Sequence, residues 1–238
     1  MKKIIFVICT LAVFLVFSSN VLAEDTKGVY AGIVGGFSIP SNIGGTLNNA
    51  AGTYPPYDPS LKNGYLLGAK VGWLTPFTDK ILALELEYNH IKNDFDKAKR
   101  FILMPPAELD LYSAINIDLF MFNAIARYPQ GKFHPYLGLG LGLAYVKTDD
   151  TVVSHAGEPI WTYDGGSDGV FAYQIMTGID VDITKNIILG LTYKYIGMQE
   201  ISFGSNIRVV SDPSIVEQVN ASMDYHSHNI IFSICYLF

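Results

Sequence analysis

The sequence predicts an all-β chain: an eight-stranded antiparallel up-and-down transmembrane β-barrel, with short turns at one end and four long loops at the other. Three observations predict it. Apolar and polar residues alternate with a period of two in eight stretches of roughly 10 to 15 residues, the pattern of strands whose successive side chains face opposite ways. The stretches are joined alternately by about five and about 20 residues, as expected of an up-and-down barrel with unequal ends. Aromatic residues collect near both ends of the apolar faces, with aliphatic residues between them.

Residues 1–23 precede the strands and read as a cleaved signal peptide: Lys2 and Lys3, an apolar run, then Val21-Leu22-Ala23, with cleavage expected before Glu24. The apolar run is about 14 residues, short of the roughly 20 that a spanning helix needs. Residues 24–238 are expected to form one barrel domain. Loss of Lys2 and Lys3 leaves 14 basic against 22 acidic residues, a mature net charge of −8, which argues against a nucleic-acid partner. Cys235 then remains as a single thiol, so an internal disulfide is excluded. Half of the chain is hydrophobic, and this share is spread by alternation rather than gathered in helix-length runs.

The first strand is predicted over 27–38, where Val29, Ala31, Ile33 and Phe37 alternate with Gly32, Val34 and Gly36. The Asn-, Gly- and Pro-rich stretch that follows reads as turn chemistry with no packed element. The second strand, 62–75, sets Tyr65, Leu67, Ala69, Val71 and Trp73 against Gly64, Gly68, Lys70 and Gly72. After a tight connection at 76–80, the third strand, 81–91, opposes Leu82, Leu84, Leu86 and Tyr88 to Glu85, Glu87 and Asn89. A second polar loop, 92–111, leads to the fourth strand, 112–128. There Ile115, Ile117, Leu119 and Met121 oppose Asn116 and Asp118, but Phe120, Phe122 and Asn123 blur the parity, and a bulge is expected.

A short turn at 129–132 leads to the most regular element, 135–146. Leu137, Leu139, Leu141 and Leu143 alternate there with Gly138, Gly140 and Gly142. Glycine costs a helix roughly 1 kcal/mol per position relative to alanine, so this is a strand with one apolar and one bare face. The third loop covers 149–167. The sixth strand, 168–182, and the seventh, from 187, are joined by a four-residue turn at 183–186, with Phe171, Tyr173, Ile175, Leu189, Leu191 and Tyr193 on the apolar faces. The fourth loop, 201–223, precedes the last strand, 224–238, which carries Ile230, Phe232, Ile234, Tyr236 and Phe238 on one face.

For the apolar faces to meet lipid, Lys70, Glu85, Glu87 and Lys194 must point inward. Counted from the short turns they share one depth, and the bare positions of the glycine strand fall at that depth too. Long charged side chains meeting bare positions are complementary in volume, and opposite charges offset part of the desolvation cost. The expectation is an interior salt-bridge network that plugs a narrow barrel; the same charges could instead line a gated ion path.

Three stretches carry a resemblance: Gly28-Val29-Tyr30-Ala31-Gly32, Pro135 to Gly142 after its short turn, and the ending Tyr236-Leu237-Phe238. The chain resembles the small outer-membrane β-barrel family, which includes the OmpA transmembrane domain and the opacity-type surface proteins, and shares OmpW-like features around Tyr128 and Pro135-Tyr136. The resemblance implies an outer-membrane location with outer-membrane lipid around the barrel. It also implies that Tyr236 and Phe238 act as an assembly signal read by the barrel-assembly machinery during insertion.

Two function classes follow. One is a structural or surface-interaction protein that meets an extracellular ligand through its loops; the other is a narrow channel for small solutes or ions. A third, an outer-membrane lipid esterase, would need a His-x-Ser pair, whereas this chain has His226-Ser227-His228 with no residue between. His226 and His228, with His155 and Glu158 on the third loop, read as rim residues rather than metal ligands, and the Asp149-Asp150 and Asp180/Asp182 pairs as solvated charges. No enzymatic activity, cofactor or metal is expected.

Overall fold

The computed structural model describes residues 28–41, 44–49, 52–53, 58–100 and 107–238; the predicted signal segment lies outside them. In chain order the strands are β1 (Val29–Pro40), β2 (Gly45–Asn49), β3 (Gly52–Thr53), β4 (Asp58–Leu61), β5 (Gly64–Leu74), β6 (Leu82–Arg100), β7 (Ala107–Tyr112) and β8 (Ala114–Arg127). They continue as β9 (Phe133–Thr148), β10 (Thr151–His155), β11 (Glu158–Tyr163), β12 (Ser167–Asp182), β13 (Ile187–Met198), β14 (Ile201–Val209), β15 (Asp212–Met223) and β16 (His226–Leu237).

Eight of these strands close on themselves. The antiparallel pairings run β1 to β5, β6, β8, β9, β12, β13 and β16, and β16 returns to β1 with Ala31 opposite Tyr236 and Phe37 opposite Ile230. Closure removes every unpaired strand edge, the condition for a sheet to sit in hydrocarbon. The turns at the short end are built locally. Pro76–Thr78 is a single 3-10 turn after which Asp79 and Lys80 take the left-handed conformation, and Thr75 Oγ1 donates to the Leu82 carbonyl at 2.8 Å.

Alternation fixes which face each residue takes. Leu137, Leu139, Leu141 and Leu143 are all about 60% exposed on the outer surface, and Ile33, Leu67, Leu86, Phe122, Ile175, Leu191 and Phe232 extend the same apolar belt round the barrel. On β6 the belt runs from Leu82 to the row of Lys92, ten residues, which at strand rise and barrel tilt is about 25 Å of axial height. Tyr65, Tyr145 and Tyr173 ring the long-loop end of the belt, and Trp73, Tyr236 and Phe238 the short-turn end, all on the outer face.

β8 departs from expectation. It has no bulge: its register with β6 and β9 is continuous from Ile115 to Ala126. Phe120 and Phe122 face outward, and the apolar row Ile115, Ile117, Leu119 and Met121 points into the barrel, essentially fully buried. Both faces of this strand are apolar because the lumen at that height is itself apolar. Leu66, Ile91, Val146, Ala172, Ile196 and Ile231 meet the β8 row there and form one hydrophobic cluster.

The long loops also differ from expectation. The four stretches read as loops, the first of them as turn chemistry without a packed element, contain strands that pair across loops. β4 pairs β6, β7 pairs β10, β11 pairs β14, and β15 pairs β2. Each loop is therefore hydrogen-bonded to both neighbours, and together they prolong the barrel wall into a crown. Hairpins make its tips; in the third loop Ala156 and Gly157 both have positive φ, the geometry of a two-residue turn matched to strand twist.

Candidate functional site

The lumen holds the predicted charges in its short-turn half. Lys70 on β5 lies in register with Glu87 on β6, yet its ammonium pairs with Glu85, one row below, at 3.3 Å. Glu85 also accepts from Tyr30 Oη at 2.9 Å and from Asn123 Nδ2 at 3.0 Å. Glu87 pairs with Lys194 on β13 and accepts from Asn123 Nδ2 at 3.0 Å and Gln174 Nε2 at 3.1 Å. Gln174 Nε2 donates in turn to Asn123 Oδ1 at 2.6 Å. All four charged side chains are at most 9% exposed, so each carboxylate is held by a cation and neutral donors, as burial of an ion requires.

The volume over the bare strand is not filled by Lys194. Asn123 and Gln174 flank Gly140 in register from β8 and β12, and a Cβ at Gly140 would collide with Asn123 Oδ1 and stand 2.8 Å from Gln174 Cγ. Lys194 stands one strand farther round, opposite Met176. Sequence reading singled out the charges and missed the two amides that join them. Their inward parity on β8 and β12 was the available signal. At Gly72 the missing side chain admits the Tyr30 ring, which carries the hydroxyl to Glu85.

Below the network a cleft of about 370 Å³, counting the part open to solvent, reaches the short-turn mouth. Lys70, Glu85, Arg127 and Asp180 line it with Tyr30, Tyr136 and Cys235. Above the network the apolar cluster closes the barrel. That upper layer is mostly Ile, Leu, Met and Val but holds buried Asn89 in the row of Leu119 and the hydrogen-bonded Ser38, Asn93 and Tyr225 above it. Among the described residues no charged side chain is buried there, so an ion passing upward would leave its compensating charges behind.

Tyr236 and Phe238 lie on the outer face of the last strand, their rings edge to face with centroids 5.1 Å apart, and the Phe238 amide donates to the Val29 carbonyl at 2.9 Å. The His226-Ser227-His228 stretch alternates across the wall. Ser227 is fully buried inside, where its hydroxyl accepts from Asn229 Nδ2 at 3.0 Å, while His228 on the outer face is bonded to Tyr193 Oη at 2.7 Å and His226 stacks on Tyr195. Serine and imidazole thus point to opposite sides of the sheet and form no catalytic pair. His155 and Glu158 face each other across the turn of the β10–β11 hairpin.

In the crown, Asp164 clamps the seam between the third and fourth loops. It takes a bidentate interaction from Arg208 and a 2.8 Å bond from Asn206 Nδ2, while its carbonyl accepts from Ser205 Oγ at 2.8 Å. The hydrogen bonds from Arg208 and then Asn206 hold the Asp164 carboxyl below its ordinary range. At the tip of the fourth loop Ile215 and Val216 are more than half exposed.

The family model described as the outer membrane protein beta-barrel domain matches residues 9–238. The chain is 31% identical over 186 residues to an uncharacterised protein of Brucella suis biovar 1 (strain 1330), across 68% of this chain and 64% of that protein, just under two thirds of the relative's length. Among solved structures, the outer membrane protein OprG of Pseudomonas aeruginosa aligns with a TM-score of 0.55 at 15% identity over 90% of this chain and 98% of OprG. The outer membrane protease OmpT of Escherichia coli aligns with a TM-score of 0.53 at 10% identity over 90% and 98%. At such identities both structures bear on the fold alone.

Proposed function

The chain belongs to the outer membrane protein β-barrel family, and from that premise we propose that it serves as a plugged, non-catalytic barrel that presents its crown as a surface-interaction element. It is an integral protein of the outer membrane, with short turns in the periplasm and the crown outside. One observation carries the proposal: the lumen is filled in two storeys, a charge-compensated one and, above it, a mostly apolar one whose buried polar side chains are uncharged. Eight strands leave room for side chains and little else. The stitched crown supports the interaction role, because loops held on both flanks offer an ordered surface with little ordering entropy left to lose on binding. The exposed pair Ile215 and Val216 at the tip of the fourth loop is the contact we assign to it. The opposite orientations of Ser227 and the flanking histidines support a non-catalytic role.

Two measurements test the reading. Purified protein in planar bilayers should show no unitary conductance; ohmic openings that disappear on replacing Lys70, Glu85 and Glu87 would establish the channel instead. The refolded protein, probed against an array of extracellular-matrix proteins and glycans, should give binding that is lost in Ile215→Ser/Val216→Ser. Binding indifferent to those two changes would refute the crown tip as the contact.

A further inference from the structure

The cleft at the short-turn mouth holds two opposite charges that do not meet. Arg127 ends β8 and is only 8% exposed, yet among the described residues no hydrogen bond or ion pair reaches its guanidinium, and its Nε is buried without an acceptor. Lys80, Lys132 and Lys185 are unpaired too, but they stand exposed at the turns, where water solvates them. The other buried cations of the lumen, Lys70 and Lys194, each hold a glutamate.

The carboxylates near Arg127 leave it free. Glu85 is taken by Lys70, Tyr30 and Asn123, and Asp182 by His134 Nε2 at 3.0 Å. Asp180 lines the cleft with Arg127, but it too has no ion pair or hydrogen bond. Register keeps the two apart. The row of Arg127 runs through Tyr136 on β9 to Gly178 on β12, and Asp180 lies two residues farther toward the periplasm on the same face. Two strand spacings and two residues of rise separate the Cα atoms by about 12 Å. Between them the Tyr136 ring lies over bare Gly178 with its hydroxyl bonded to Thr192, and Asp180 lies over bare Gly190, where a Cβ would stand 2.6 Å from its Oδ1. Leu74, Ala83, Ile125 and Ile188 make the rest of the wall apolar.

The charges of the cleft sum to zero, because Lys70 cancels Glu85 and Arg127 cancels Asp180. A lone anion or a lone cation would bring an unbalanced charge into a buried site, whereas a zwitterion would not. A planar carboxylate matches the guanidinium fork, an ammonium matches an acceptor-only carboxylate, and a short hydrocarbon stem matches the apolar wall between them. We propose that the cleft binds a small amino carboxylate from the periplasm, its carboxylate on Arg127 and its ammonium on Asp180. The mostly apolar layer above the charge network makes this a site closed at its upper end, not a passage.

The test uses the full barrel refolded in nanodiscs and labelled with nitrogen-15 arginine, which gives three Nε signals, from Arg100, Arg127 and Arg208. Alanine and β-alanine are compared with propionate and propylamine, which lack one charge each. At least one of the two amino acids should shift the Arg127 signal at a concentration about tenfold below that needed with propionate, and propylamine should not shift it. Saturation-transfer difference spectra of the solutes follow the variants. Arg127→Gln should lose the amino acid, and Asp180→Asn should bind propionate as well as it binds the amino acid. No shift with either amino acid, equal binding of propionate by wild type, or binding that survives in Arg127→Gln would each overturn the proposal. Should a variant fail to insert, the comparison of the four solutes on wild-type protein still decides.

Discussion

Replacing Lys194 by methionine keeps the volume of the side chain and strips Glu87 of its cation. The Glu87 side chain is fully buried and that of Lys194 only 5% exposed, so water cannot take over the lost interaction. Removing one partner of a buried pair costs about 3 to 5 kcal/mol, and a single charged hydrogen bond about 1.5 to 3. Two neutral donors, Asn123 and Gln174, remain on Glu87 at 3.0 and 3.1 Å, which places the expected loss at the lower end, about 3 kcal/mol. Glu87→Gln in the same background removes the orphaned charge and leaves an oxygen for the amides, so the double variant should recover about 2 kcal/mol of that loss. Urea unfolding of the refolded protein in lipid vesicles, followed by tryptophan fluorescence and by the heat-modifiable gel shift, measures all four corners of the cycle. A single-variant loss below about 1 kcal/mol, or a double variant no better than the sum of the singles, would show that the pair does not hold the lumen as described.

Leu141 lies outward on the row of Phe122 and Leu86, midway up the belt, so Leu141→Arg should destabilise the inserted barrel by about 2 to 4 kcal/mol in the same unfolding assay. Deleting Phe238 should lower the membrane-inserted, heat-modifiable fraction in cells; normal insertion of the truncated chain would rule out its part in assembly. The Asp164 clamp stabilises the crown above the ordinary aspartate range and loses that contribution as pH falls through the depressed value, below about pH 4. Hydrogen exchange across the β11–β14 seam should therefore accelerate on acidification in wild type and not in Asp164→Asn, whose seam is already loose at neutral pH.

What could be read in the amino-acid order is what a period of two encodes. It locates all eight wall strands and sorts Lys70, Glu85, Glu87 and Lys194 inward, because one charged residue among alternating leucines leaves a single choice of face. The same rule is silent where both faces are apolar. On β8, Leu119 and Phe120 are equally hydrophobic, and only Ile91, Val146 and Ile196, contributed by three other strands, make the inner side of that strand a dry layer. The crown was lost for a different reason. Ile201, Ser205 and Ile207, or Val219, Ala221 and Met223, do alternate inward, but their strands are stabilised by partners far away in the chain, such as Asn48 opposite Asn220. Gly, Asn and Pro in between speak for turns at short range.

The ring of seams also decides where this chain can be lengthened. In a barrel with free loops, an inserted peptide disturbs only the loop that receives it. Here an extra residue at Thr162 or Ile207 would shift the register of a strand shared by two loops, and the displacement would pass to the next seam. Among the described residues the turn at Ala156-Gly157 meets nothing beyond its own hairpin, whereas the turn at 210–211 is still tied to the third loop, where the Val210 amide donates to the Ile160 carbonyl at 3.0 Å. Among the described residues of the crown, a foreign epitope carried to the cell surface on this scaffold therefore belongs at Ala156-Gly157.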